Sequence, residues 1–107
     1  MISIITHKLA GQDHDLKFST RAQARVERKF DASITLVLAG IGSRYGVDAL
    51  AEIIAASMNE GAGGSVQIVY DAMDEMKGEE AKDLVAKLVM SAFPEDDGDP
   101  EGDPAKK

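Results

Sequence analysis

Three glycines, Gly40, Gly42 and Gly46, punctuate the run ITLVLAGIGSRYG at residues 34–46, and Asp71 closes the apolar segment SVQIVYD further on. Read as strand, glycine turn, helix, strand and acid, this is the order of a dinucleotide-binding βαβ unit. In such a unit the glycine turn approaches a pyrophosphate and the acid holds a ribose. A second group joins His7 and His14 to Asp13 and Asp15, nitrogen and oxygen donors of the kind that bind a metal. A third crowds Asp71, Asp74 and Glu75 against Glu79 and Glu80. Ser43, Ser57 and Ser65 are the remaining candidates for nucleophiles.

Each has a plainer reading. A doubly wound domain needs several parallel strands, and every crossover consumes about 30 residues. Only residues 77–93 remain after the second strand of that reading, and they have helical periodicity. One βαβ unit would leave both sheet edges open. The spacing G-x-G-x-x-x-G also departs from the G-x-G-x-x-G fingerprint. The glycines read better as helix stops. The histidines flank a short hairpin on opposed strand faces beside an exposed turn, which disfavours a shared metal. The carboxylates lack the D-x-D-x-D-G order of a calcium loop and read as a solvated face. The serines lack a nucleophile-elbow context. No catalytic, cofactor-binding or metal-binding residue is therefore assigned, and no cofactor is expected.

The composition bounds the rest. The chain has 107 residues, 44% of them hydrophobic, and no cysteine, so one small domain without disulfides or thiolate sites is expected. No apolar run nears the length of about 18 residues that spans a membrane. Met1 runs straight into Ile-Ser-Ile-Ile without a basic segment, which points to the cytoplasm. Residues 94–107, PEDDGDPEGDPAKK, hold six acids and two lysines, leaving −3 of the net −7 for residues 1–93. That body has no overall basic balance, so nucleic acid is a disfavoured partner. The tail lacks large apolar residues and reads as a disordered acidic segment appended to a domain over residues 1–93.

The elements follow from periodicity. Ile2, Ile4 and Ile5 suit a strand over residues 2–9, residues 10–15 have turn chemistry, and Leu16-Lys17-Phe18 returns as the second strand of a hairpin. Thr20 and Gln23 have capping-box spacing, and Ala22, Val26 and Phe30 form one edge of the first helix. Arg21, Arg25, Arg28 and Lys29 crowd its remainder as a solvated face. Asp31 or Ser33 caps a second helix carrying Ile34, Val37, Leu38 and Ile41. A third carries Val47, Leu50, Ile53, Ile54 and Met58. Ser65 opens a fourth with Val66, Val69, Tyr70, Met73 and Met76, stopped at Lys77-Gly78. The last shows the clearest stripe, Ala81, Leu84, Val85, Leu88, Val89 and Ala92. The expected fold is α+β and mainly α, an N-terminal hairpin followed by four or five short helices.

A polar-turned hairpin is thus followed by LKFSTRAQARVERKFDASI, a glycine break, VDALAEIIAASM, GGSVQIVYDAMDEM and AKDLVAKLVMSAF. Over residues 15–93 this succession resembles the small tail assembly chaperone-like proteins of siphophages and gene transfer agents. Those proteins show a strand pair, a helix with a glutamate near its end, and further short helices closed by a "vv..ll..af" segment. Glu27 stands where that glutamate is expected, and Ser33-Ile34 matches the start of the next helix. Phe30 departs from the small residue or glycine the family often has there. The resemblance implies binding without turnover. Its expected partners are the helical tape measure protein, which such chaperones coat, and tail tube subunits. A structural tail subunit is the alternative within the same resemblance, and a domain this small leaves apolar surface at the hairpin edge or a methionine-bearing helix face through which a homo-oligomer is also expected. Adaptable thioether side chains make Met58, Met73 and Met76 the candidate partner-binding residues.

Overall fold

Alternation in the first residues builds an antiparallel pair, β1 (Ile5–Leu9) and β2 (Gln12–Leu16). The computed structural model describes residues 2–77 and 79–93. Ile5 pairs with Leu16, His7 with His14 and Leu9 with Gln12, while Thr6–Asp15 and Lys8–Asp13 occupy the alternate, exposed positions. The turn is Ala10 (φ 52°) and Gly11 (φ 83°), shorter than the expected 10–15. Two left-handed residues match the twist of the flanking strands, which frees residues 12–15 to pair. Five helices follow: α1 (Thr20–Phe30), α2 (Ile34–Ala39), α3 (Val47–Gly61), α4 (Val66–Glu75) and α5 (Glu80–Ala92). The architecture is α+β and mainly helical.

Residues 34–39 and 66–70 are helical, and the only sheet among the described residues is β1–β2. The βαβ reading therefore has no strands to stand on. Gly40 ends α2 instead, and the Tyr45 ring lies against it so closely that an added Cβ would stand 2.6 Å from Tyr45 Cδ2. Gly78, an expected helix stop, and residues 94–107, the expected disordered tail, lie outside the described residues.

α3 is the axis of the fold. Every residue from Ala49 to Met58 is buried, because small alanines on all sides let α1, α4, α5 and β2 pack around it. Phe18, Leu16, Val26, Val37, Val69, Leu84 and Leu88 close the core about Ile53 and Ile54. Each such aliphatic side chain contributes about 1.5–3 kcal/mol by burial. The regular helix ends at Ser57. Met58 is extended, and Asn59 (φ 55°), Glu60 (φ 57°) and Gly61 (φ 91°) turn left-handed. Gly61 is required there, since a Cβ would fall on Ser19 Oγ and stand 3.0 Å from the Lys17 carbonyl.

The starts of α1, α2 and α4 are set by serines. Ser19, not Thr20, caps α1: its backbone is extended and its Oγ accepts from the Ala22 N–H at 3.1 Å. Thr20 is already helical, and Gln23 donates to the Phe18 carbonyl at 3.2 Å rather than completing a capping box. Ser19 Oγ also donates to the Gly61 carbonyl, tying α1 to the end of α3. Asp31 closes α1 in the left-handed conformation, and Ser33 caps α2. Ser65 caps α4.

Candidate functional site

α2 is too short to hold itself, so its position depends on its ends. The Glu27 carboxylate, from the last turns of α1, accepts the Ile34 N–H at 2.7 Å, and Ser33 Oγ accepts from Leu36 at 3.3 Å. Two of the unpaired donors at the start of α2 are thereby satisfied. Val37 anchors the middle of α2 in the core. Tyr45 packs edge-on against Phe30 with ring centroids 5.2 Å apart and holds the Gly40 end. Across α3, α5 buries Leu84, Val85 and Leu88 and turns Val89 and Met90 progressively outward.

The space left between α2 and α5 is an open apolar groove of about 400 Å³. Leu50 of α3 lies at its base, only 8% exposed. Leu38 and Ile41 line the α2 side, and Val85, Ala86, Val89 and Met90 line the α5 side. Lys82 is the single charged residue lining it, with its ammonium 3.5 Å from Glu79. Met90 is 64% exposed. Such a surface can bury apolar side chains of a partner and offers one cation to orient them.

The methionines singled out by the sequence do not lie there. Met58 is 3% exposed and packs beside Gly64, so it fills the core. The chain turns at Asn59, and the Met58 side chain lies beside Gly64 of the 62–65 loop. Met73 on α4 and Met76 just beyond its end are half-buried and packed against the core. Met76 borders a separate cleft with Ala10 and Gly11 of the hairpin turn. Met90 was legible in one respect: it falls off the apolar stripe of its own helix.

The chemical candidates are separated or put to structural use. His7 and His14 are cross-strand partners on one face, not on opposed faces as expected, since directly paired residues point the same way. His7 Nε2 lies 3.0 Å from Glu80 Oε2, linking the hairpin to the start of α5. Among the described residues no three His, Asp or Glu side chains converge as a metal-ligand set. Asp71, Asp74, Glu75 and Glu79 are exposed. Ser57 Oγ donates to the Ile53 carbonyl at 2.8 Å within the core, and Ser43 Oγ to the Gly40 carbonyl at 3.2 Å. Tyr70 donates to Asp48 Oδ1 at 2.7 Å. That hydrogen bond, then loss of water and the negative fields of Asp48 and Glu52, hold its phenol above the ordinary value of 10.0.

One polar contact escaped the sequence. Arg25, expected on a solvated face, donates from Nε to the buried Glu52 at 2.7 Å and from Nη1 to the Gly64 carbonyl at 3.0 Å. It joins α1, α3 and the 62–65 loop. The signal was Glu52, the one charge inside the run ALAEIIAASM.

The chain matches no protein-family model, no curated protein and no solved structure. Among the described residues no helix is long and apolar enough to cross a membrane.

Proposed function

We propose that this protein is a non-enzymatic assembly factor of the tail assembly chaperone type, acting by reversible capture of an amphipathic helix in the α2–α5 groove. The observation that carries this reading is the open apolar groove, lined by one cation and seven uncharged residues. An unassembled tape measure protein exposes apolar helical stripes, and residues at i, i+3, i+4 and i+7 of such a stripe would lie along the groove. An acidic residue flanking the stripe would meet Lys82. Recruitment of tail tube subunits would then follow from release of the stripe. The placement of Glu27 also fits the resemblance: it caps the helix that forms one groove wall.

Co-expression with a tape measure protein tests the reading. The chaperone should keep that protein soluble and co-purify with it. Met90→Glu and Ala86→Glu, both at exposed positions, should abolish capture without lowering the melting temperature. A tape measure protein equally soluble alone, with no complex eluting, contradicts the proposal.

A further inference from the structure

α1 and α4 end on sequences of inverted sign. α1 closes on Arg28-Lys29-Phe30-Asp31, and α4 on Asp74-Glu75-Met76-Lys77. Phe30 and Met76 pack against the core, while the charged residues of both ends are exposed. Among the described residues none of these charges enters an ion pair. The placement suits α1, since Arg28 and Lys29 lie against the negative C-terminal end of its dipole. It does not suit α4. Asp74 and Glu75 stand where the last carbonyls are already negative, and no basic residue shares that turn. A cation brought from elsewhere would stabilise this end.

The two ends belong to helices that run the same way. Arg25 reaches Glu52 and Ser19 reaches Gly61, so α1 is antiparallel to α3. The Gly64 N–H donates to the Ala55 carbonyl and Tyr70 donates to Asp48, so α4 is antiparallel to α3 as well. Both pack on α3, and Arg25 donates to the Gly64 carbonyl at the entrance to α4. Each copy therefore carries a basic helix end and an acidic one that point in the same direction.

A twofold axis parallel to such a pair lays α1 of one copy on α4 of another, and repeats the contact on its other side. In that register Arg28 meets Asp74, Lys29 meets Glu75, and Asp31 meets Lys77. Reversing one helix over the same ends sets Arg28 on Lys77 and Asp31 on Asp74, like charge on like. Only the parallel register satisfies both ends.

We propose that the α1–α4 face binds a second copy of this chain through reciprocal Arg28–Asp74 and Lys29–Glu75 contacts. The contact is polar, so the association is weak and is lost as ions screen it. This inference is independent of the groove and its occupant.

Two single variants at exposed positions, Arg28→Asp and Asp74→Arg, test it by sedimentation velocity, with circular dichroism checking that each is folded. The parent should shift from monomer to dimer with concentration at about 0.1 M salt, where the Debye length is about 10 Å. It should stay monomeric at about 1 M salt, where that length falls to about 3 Å. Each variant alone should be monomeric, because like charges then face each other on both sides of the axis. Mixed in equal amounts, the two should recover the dimer, since each supplies the charge the other lacks. If either variant loses its helical signal, Lys29→Glu and Glu75→Lys make the same exchange. A parent monomeric at every concentration, or a dimer indifferent to salt, overturns the proposal. So do single variants that dimerise like the parent, or a mixture that stays monomeric.

Discussion

Arg25→Ala tests how the three parts of the helical body are joined. The substitution leaves the Glu52 carboxylate, whose side chain is 7% exposed, without its cation at 2.7 Å, and strips the Gly64 carbonyl of a donor. Removing one partner of a buried ion pair costs about 3–5 kcal/mol, chiefly through the charge left behind. Arg25 is itself 32% exposed, so solvent screens the pair and the lower end, about 3 kcal/mol, is expected. For a domain of this size that is a fall in melting temperature of roughly 12–24 °C. Urea denaturation followed by circular dichroism measures it directly. Arg28→Ala, on the exposed face of the same helix, should stay within about 0.5 kcal/mol of the parent. Arg25→Met combined with Glu52→Leu removes both charges and should recover most of the loss, to within about 1 kcal/mol. If Arg25→Ala proves as mild as Arg28→Ala, or the double variant as unstable as the single, Arg25 does not lock α1 to α3.

Ser19→Ala should cost about 1 kcal/mol, with Thr20→Ala near neutral, because Ser19 caps α1 and also ties it to Gly61; chemical denaturation separates the two. Leu88→Ala, in the core, should cost about 2–5 kcal/mol, whereas Met90→Glu on the groove should change stability by less than about 0.5 kcal/mol. In a Tyr45→Phe background, absorbance titration should show Tyr70 ionising above 10.0, and Asp48→Asn should bring it down. Its folded value is raised, so the stability this bond contributes is full below pH 10 and lost as pH rises through the folded value.

The sequence carried the elements well because their signals are local. The α5 stripe of Leu84, Val85 and Leu88 is periodic, and all three are buried as expected. The glycine run was legible as helix stops because too little chain remained to build a parallel sheet. Boundaries were harder. Thr20 and Gln23 have the right spacing for a cap, but only the backbone conformation at Ser19 decides which hydroxyl sits at the helix entrance. The hairpin turn was over-extended because Gln12, Asp13 and Asp15 have turn chemistry yet pair as strand. The site was the least legible part. Residue type alone made Met58 a binding candidate, whereas α3's place at the centre of the fold buries it. The groove joins Leu38, Leu50 and Val89 from three helices, and no single helix's periodicity predicts where two others fail to meet above a third.

The methionines provide the most direct test of the groove. Labelled at their methyl carbons, Met58, Met73, Met76 and Met90 report separately on the core, α4 and the groove. If the proposed capture is right, titration with a helical fragment of a tape measure protein should shift or broaden the Met90 signal and leave Met58, Met73 and Met76 in place. Movement of Met73 and Met76 with Met90 unchanged, or of none of the four, would contradict the claim that the α2–α5 groove is the capture surface.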